Sequence, residues 1–256
     1  MHFRILSRDD VAALLDRRGL IEVMKAGFVA LTVGSTVAPG RSRIDVPGQG
    51  FLLNMGAWQP DRHLAVKLVT VYENNPNLDL PRHQAVITLI DHNSGTPRGL
   101  MDATLITAER TAAGSAIATD LLASPDARVL AIIGAGVQGQ AHLELVGPVR
   151  NFTEIKIAGR RPEDAERLAA THAKATAVST NEDAAREADV ICLCTNASDP
   201  VLDANAIKTN AHINSVGFAP PGSELDPAII ERAQVAVETR NAPVAPPVRH
   251  PRTGAG

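Results

Sequence analysis

One segment constrains the fold of this chain more than any other: residues 129–140, which read VLAIIGAGVQGQ. Five apolar residues run directly into glycines spaced as G-x-G-x-x-G, at Gly134, Gly136 and Gly139. The apolar run is typical of a strand buried on both faces. The glycines allow a tight turn, a close approach of backbone to a pyrophosphate, and close packing of the following helix, whose free N–H groups attract the phosphates. The segment therefore predicts a dinucleotide-binding site.

The sequence on the carboxyl side of this segment alternates between strand-like and helix-like patterns. Such alternation predicts a parallel sheet with right-handed crossover connections. The strand candidates are residues 154–158, 175–178, 189–194, 212–216 and 234–237, and the helix candidates are residues 140–146, 162–172 and 181–187.

The first half of the chain has a different pattern. Residues 7–33 are predicted to form two helical stretches with Ser7 as a cap, and β-type segments follow at 51–55, 64–72 and 84–91. A Pro/Gly-rich turn is expected around Arg41 and Arg43, and Asn93-Ser94-Gly95 predicts a tight turn. We therefore expect an α+β domain with an antiparallel or mixed sheet at 1–123, ending in a connecting helix (107–123). A dinucleotide-binding domain at 124–240 and an irregular tail at 241–256 would follow.

Bulk composition excludes several classes of protein. The 256 residues suit two domains, and 45% hydrophobic with 21% charged residues is ordinary for a globular protein. The net charge of -3 lacks the basic footprint of a nucleic-acid-binding protein, and no segment has the apolar length of a membrane span. Cys192 and Cys194 alternate within an apolar run and are expected to be reduced core residues and not metal ligands. No metal site is expected, and the cytoplasm is the expected compartment.

The residues after the second strand of the dinucleotide-binding domain predict which cofactor is used. An acid at this position selects the ribose 2′-hydroxyl, whereas arginine accommodates a 2′-phosphate. The chain has Arg160 and Arg161 there, and the first acid is Glu163. Two guanidinium groups favour NADPH, with NADH as the alternative, although both arginines could simply be solvated residues at the start of a helix.

Several longer stretches together resemble the ornithine cyclodeaminase/mu-crystallin family. The resemblance implies a Rossmann domain, with a doubly wound parallel sheet, plus an α+β domain that binds substrate and forms a homodimer. It also implies activity on amino acids or cyclic imino acids with a nicotinamide cofactor, although mu-crystallins also bind thyroid hormone. The stretches are KLVTVYENNP from Lys67, HQAVITLID from His83, GLMDATLITAERTAAGSAIAT from Gly99, IGAGVQGQAH from Ile133 and HINSVG from His212.

The resemblance also implies roles for particular residues. Lys67 matches the family's lysine at the junction of substrate and nicotinamide, and Arg110 matches an arginine that binds the substrate carboxylate. Arg41 resembles a second carboxylate-binding arginine, with Arg43 as the competing alignment. Guanidinium groups bind a planar carboxylate bidentately, and lysine supplies a compact charge or a proton, so the residue types suit these roles. The implied cofactor contacts are Thr111, Gly134, Ala135, Gly136, Val137, Gln138, Gly139, Arg160, Arg161, Thr195, Val216 and Gly217.

One departure from the family pattern bears on the reaction. Cyclodeaminases of the family carry an aspartate shortly after the H-I-N-x-V-G motif as a general base, but this chain has Ala219 there. Deamination needs such a base, whereas reduction of a preformed cyclic imine needs mainly hydride positioning and carboxylate binding. We therefore expect an NADPH-dependent reductase of a cyclic 2-imino acid, such as pyrroline-2-carboxylate or piperideine-2-carboxylate. Glu224 or Asp226 could substitute for the missing acid.

Other functions remain open from the sequence alone. Within enzymes the alternatives are an ornithine cyclodeaminase and an amino-acid dehydrogenase, for example of alanine. Family members usually continue well past the position of Val237 and return to the first domain, whereas this sequence stops at Gly256. A mu-crystallin-like nucleotide- or hormone-binding protein, or a truncated chain that binds cofactor without turnover, is therefore the non-enzyme alternative.

Overall fold

A computed structural model of the chain describes residues 3–217 and 222–239. The chain divides into two compact units, Met1–Arg110 and Thr111–Gly256, and passes from the first to the second within a long helix rather than at residue 123. The first unit and this helix comprise, in chain order, β1 (Arg4–Leu6), α1 (Arg8–Leu14), α2 (Arg17–Thr32), β2 (Ser42–Val46), β3 (Gly50–Gln59), β4 (His63–Tyr72), β5 (His83–Ile90), β6 (Pro97–Asp102) and α3 (Thr104–Leu122).

The first unit is built on a six-stranded mixed sheet with the order β1-β6-β5-β4-β3-β2. Strands β2 to β6 pair antiparallel, whereas β1 pairs parallel with β6. Because side chains alternate along a strand, one face of the sheet carries the core residues Val69, Val71 and Ala85. These residues pack with Ala103, which precedes α3, and with Ile106 on α3. The α+β prediction is confirmed, and this face positions the candidate site residues of the unit.

The two edge strands of this sheet were missed by the sequence analysis. β2 occupies the segment predicted as a Pro/Gly-rich turn, and all five of its residues are exposed. A polar edge strand and the three-residue β1 carry too little apolar periodicity to be recognised. The predicted cap at Ser7 is confirmed, since its hydroxyl accepts from the Asp10 N–H while the Asp10 carboxylate accepts from the Ser7 N–H, which is a capping box.

The second unit contains a five-stranded parallel sheet with the order β11-β10-β7-β8-β9. The central strand is the apolar run before the glycines, and four of its five residues are buried. This confirms the predicted Rossmann-type sheet, in which the strand order reverses between β7 and β10. The elements after α3 are β7 (Val129–Ile133), α4 (Val137–Val146), β8 (Glu154–Ala158), α5 (Pro162–Ala169), β9 (Ala175–Ala177), α6 (Asn181–Ala185), β10 (Val190–Leu193), β11 (His212–Ser215) and α7 (Pro227–Arg232).

The strand predicted at 234–237 is wrong. These residues follow α7 as exposed irregular chain, with Val235 and Val237 each about 40% exposed. Two alternating valines suggested a strand, but this segment pairs with no strand of the sheet, and an unpaired strand leaves its backbone groups unsatisfied. The predicted tail at 241–256 lies outside the described residues. Within residues 3–217 and 222–239, no helix combines the length and the hydrophobicity that crossing a bilayer requires.

Candidate active site

The glycine loop has the backbone geometry that a dinucleotide requires. Gly134 has φ +110°, and a Cβ there would lie 2.5 Å from the Cys194 carbonyl oxygen. A Cβ on Gly139 would lie 1.9 Å from the Gly134 carbonyl oxygen, so only glycine lets α4 pack this closely. Gly136, the N-cap of α4, instead faces open space within 4 Å of its Cβ position and offers no side-chain cap. The free N–H groups at this helix start fit a pyrophosphate.

A buried histidine that the sequence analysis missed holds α4 in place. His142 is fully buried, with Nδ1 2.7 Å from the Gln138 carbonyl oxygen and Nε2 2.9 Å from the Ser115 hydroxyl on α3. Burial lowers the pKa of His142 to about 4, partly opposed by the hydrogen bond to Gln138. The neutral ring therefore donates from Nδ1 to the carbonyl and accepts from the serine, which ties the start of α4 to α3.

The two arginines after β8 have different environments. Arg161 donates from Nε to Asp164 at 2.5 Å, and Asp164 also pairs with Arg167. The hydrogen bond from Arg167 is the main reason that the pKa of Asp164 lies below its usual value, and Arg161 lowers it further, whereas burial opposes both. Arg160 is exposed and forms no ion pair with any described residue. A ligand that needs a guanidinium here would meet an engaged Arg161 and an available Arg160.

Glu224 is a buried acid at the ends of β10 and β11, and its side chain is 2% exposed. Oε2 accepts from the Thr195 N–H at 2.8 Å and the Thr195 hydroxyl at 2.7 Å. Oε1 accepts from the Gly217 N–H at 2.6 Å and the Ser215 hydroxyl at 3.0 Å. Asp226 caps α7, with Oδ1 accepting from the Ala228 N–H at 2.8 Å. Both acids that could replace the base missing at Ala219 are thus engaged in structural hydrogen bonds, while Ala219 itself lies outside the described residues.

Lys67 lies on the core-facing side of the sheet in the first unit. It occupies β4 directly opposite Met55 on β3 and Ile87 on β5, on the face that carries Val69. Burial, followed by the positive charges of Arg110 and Arg41, together lower the pKa of Lys67 to about 8. The half-buried lysine therefore shares one electropositive region with two arginines, which suits an anionic ligand.

The neighbouring arginine Arg43 is already engaged. Its Nε donates to Asp45 at 2.7 Å, and its guanidinium lies 3.8 Å from the centroid of the Phe51 ring. Arg41 is exposed just before β2. Arg41, and not Arg43, is among the charges that lower the pKa of Lys67, which favours Arg41 of the two competing alignments.

Arg110 lies on α3, which is anchored through the preceding residue. Glu109 is 2% exposed and accepts two hydrogen bonds from Arg17 on α2, at 3.0 Å from Nε and 2.7 Å from Nη2. This bidentate pair fixes the rotation of α3 at Arg110 and was not found from the sequence.

The remaining predicted cofactor contacts lie in the second unit. Thr111 is half-buried on α3, and Thr195 follows β10. Val216 follows β11 and donates its N–H to the Leu193 carbonyl oxygen at 3.1 Å. Thr195, Val216 and Gly217 lie at the carboxyl ends of neighbouring parallel strands, the edge of the sheet that also carries the glycine loop.

Known proteins resemble this chain in sequence and in fold over most of its length. The ketimine reductase mu-crystallin of Mus musculus is 38% identical over 226 residues, covering 87% of this chain and 72% of the relative. The Delta(1)-pyrroline-2-carboxylate reductase of Thermococcus litoralis, solved in complex with NADH and L-proline, superposes with a TM-score of 0.86 at 34% identity over 90% of this chain and 73% of that protein. An archaeal alanine dehydrogenase dimer with bound NAD gives a TM-score of 0.87 at 28% identity over 91% of this chain and 73% of its own.

The family-level match extends through both units. Residues 2–244 match the sequence profile of a single family, so the glycine loop and the lysine–arginine region fall within the same match. On this match and on the 38% identity above, the chain belongs to the ornithine cyclodeaminase/mu-crystallin family.

Proposed function

We propose that this chain is an NAD(P)H-dependent reductase that converts a cyclic 2-imino acid, such as pyrroline-2-carboxylate or piperideine-2-carboxylate, into the cyclic amino acid. One observation carries the proposal: Lys67 lies half-buried with its pKa lowered to about 8, in a region that Arg110 and Arg41 make electropositive. The similarity to a reductase solved with NADH and L-proline supports this substrate class.

The three cations divide the work on the substrate. Arg110 and Arg41 hold the carboxylate, because a guanidinium fork matches its two oxygens. Lys67 lies beside the imine and gives a proton to its nitrogen as the imine carbon accepts hydride. The balanced reaction takes one imino acid, one NAD(P)H and one proton to one amino acid and NAD(P)⁺.

The cofactor is assigned to the second unit. The N–H groups at the start of α4 and the glycines before it would hold the pyrophosphate. When bound, the nicotinamide supplies the hydride. We propose that Arg160, with Arg161 held by Asp164, favours NADPH over NADH through the 2′-phosphate.

Deamination of ornithine is not expected. It requires a group that accepts and returns protons, and the position that matches the family's aspartate is Ala219. The two nearby acids are committed to other contacts, since Glu224 accepts four hydrogen bonds and Asp226 caps a helix. Reduction needs no such base, because the substrate already contains the C=N bond.

We also propose that two copies of the chain associate through the open face of the first sheet. The register places Ile44, Leu68 and Val86 on the face opposite Lys67, and they are 63%, 37% and 36% exposed. Trp58, on the same face, is 38% exposed. Apolar side chains clustered on one face are typical of a subunit interface, and the similar alanine dehydrogenase is a dimer. Sedimentation equilibrium of the wild type and an Ile44→Lys variant tests this, and a monomeric wild type would contradict it.

The experiment that tests the function is a substrate panel read by NADPH oxidation. Pyrroline-2-carboxylate and piperideine-2-carboxylate should be reduced, and pyruvate with ammonia should be turned over at least about 10-fold less efficiently. Ornithine with NAD⁺ should release no ammonia above background. Ammonia release from ornithine at a rate approaching imine reduction would contradict the proposal. It would also be contradicted if the protein binds the cofactor but reduces neither cyclic imine. Recovery of ammonia release only in an Ala219→Asp variant would support the assignment of that position.

A further inference from the structure

The proposed reaction gives no chemical role to Glu224, a buried acid of the second unit. Its carboxylate has room for about four hydrogen-bond donors, and four donors lie between 2.6 and 3.0 Å. Two of them are backbone N–H groups, from Thr195 after β10 and from Gly217 after β11. One side chain therefore ties together the loops that follow two neighbouring parallel strands.

The loop after β10 borders the glycine loop directly, and Glu224 joins the loop after β11 to it. Thr195 follows Cys194, whose carbonyl oxygen lies 2.5 Å from the Cβ position of Gly134, and the Thr195 Cγ2 lies 3.2 Å from the same position. A Cβ on Gly217 would lie 2.4 Å from Glu224 Cδ, so the backbone at Gly217 rests against the carboxylate. In open parallel sheets, ligands bind at this carboxyl edge, at the point where the strand order reverses. In this sheet that point lies between β7 and β10.

We propose that Glu224 is a positioning residue that sets Thr195 and Gly217 for the nicotinamide end of the cofactor. The proposal rests on the proposed use of a nicotinamide cofactor. A carboxylate satisfies both backbone N–H groups at once. Glutamine cannot, because in either orientation of its amide the NH₂ group faces one of those two N–H donors. The loop at the mismatched donor must move, while the pyrophosphate site at Gly136 keeps its geometry.

The test separates the two ends of the cofactor by equilibrium binding. In Glu224→Gln, the Kd of NADPH should rise about 10-fold or more, since the amide NH₂ and a backbone N–H would then face each other without an acceptor, at a cost in free energy. The Kd of adenosine 2′,5′-bisphosphate, which lacks the nicotinamide, should stay within about twofold of the wild type. The primary isotope effect on turnover with NADPH deuterated at the transferred position should increase, because a misplaced ring makes hydride transfer more rate-limiting.

Asp189 offers a matched control at the opposite edge of the same sheet. Its carboxylate also accepts from two backbone N–H groups, those of Arg128 at 2.7 Å and Val129 at 2.9 Å, where β7 begins. Both N–H groups donate to Oδ2, while Oδ1 pairs with the Lys208 ammonium, so in Asp189→Asn the amide NH₂ would face that cation. Asp189→Asn should therefore destabilise the unit and leave both Kd values unchanged. If Glu224→Gln does not fold, Ser215→Ala removes a single donor to Glu224 and replaces it in the test, with an expected rise of about threefold in the NADPH Kd only.

Each outcome decides a different claim. Equal weakening of NADPH and the bisphosphate, or an NADPH Kd that does not change, would overturn the positioning role of Glu224. The same effect in Asp189→Asn would overturn it as well, because general destabilisation would then explain the loss. A wild-type protein that binds neither ligand would instead contradict the proposed function itself.

Discussion

The two units of this chain carry their candidate sites in different ways. In the second unit the candidate cofactor site is made of backbone, and three glycines within six residues define it at the end of one strand. In the first unit the candidate substrate site is made of side chains from Arg41, Lys67 and Arg110, which lie far apart in sequence. A local motif can therefore predict the first kind of site, whereas the second kind exists only once the sheet and helix have formed.

The largest expected effect separates substrate chemistry from cofactor binding. Lys67→Met should lower kcat/KM for imine reduction by about 10²–10⁴-fold, because the proton donor and one charge are lost together. The Kd of NADPH should not change, since the glycine loop is intact. The control is Lys156→Met, a strand lysine on β8 whose loss should leave turnover near wild type. A large loss of NADPH affinity in Lys67→Met would contradict the assignment of substrate binding to the first unit and cofactor binding to the second.

Acid should destabilise the second unit through His142. The pKa of its ring is about 4 in the folded protein against 6.5 in an unfolded chain. The unfolded state therefore binds the proton first, so stability is full above about pH 6.5 and is lost as the pH falls towards 4, by on the order of 3 kcal/mol. Urea unfolding at several pH values measures this loss.

A His142→Leu variant is the control for that measurement, since it cannot titrate. Burial also lowers the pKa values of His83 and His212, so part of the wild-type loss should persist in the variant. A pH dependence identical in wild type and His142→Leu would show that the buried ring is not the source.

Two glycines of the loop should respond differently to the same substitution. Gly136→Ala meets no atom within 4 Å of the added Cβ, so the melting temperature should hold while the Kd of NADPH rises about 10-fold by obstruction of the pyrophosphate. Gly139→Ala places its Cβ 1.9 Å from the Gly134 carbonyl oxygen, so both the melting temperature and the affinity should fall. Unchanged NADPH binding in Gly136→Ala would contradict the assignment of the pyrophosphate site to this loop.

The smallest expected effect concerns the choice of cofactor. Arg160→Asp should reduce the preference for NADPH over NADH by about 10-fold, because a charge-assisted pair becomes a clash. Arg161→Asp should change it less, since Asp164 already engages Arg161. Kd values for both cofactors measure the preference, and equal effects of the two substitutions would remove the special role of Arg160.

The sequence predicts the two units unequally well. The parallel sheet, the glycine turn and Ser7 as a cap follow from local rules, so they were predicted correctly. The edge strand β2 was missed because it is polar and exposed, and 234–237 was wrongly assigned because alternation alone does not supply a pairing partner. Lys67 and Arg110 were assigned to one site by the resemblance to the family and not by their spacing in the sequence.

Contacts between distant residues were beyond sequence reasoning altogether. The pairs Arg17–Glu109 and His142–Ser115 join positions 92 and 27 residues apart, and no local pattern marks them. Glu224 was noticed in the sequence as an acid, but its four donors come from residues that only the folded sheet places around it.

The most direct test of Lys67 as the proton donor is the pH profile of kcat/KM for pyrroline-2-carboxylate reduction in the wild type and in Lys67→Arg. Burial and the charges of Arg110 and Arg41 lower the pKa of Lys67 to about 8, so the lysine is protonated below that pH and neutral above it. If Lys67 is the proton donor, wild-type kcat/KM should fall about 10-fold per pH unit above about pH 8. Lys67→Arg, whose guanidinium keeps its proton, should be slower and show no such fall. A fall at the same pH in both proteins would contradict the assignment of Lys67 as the proton donor.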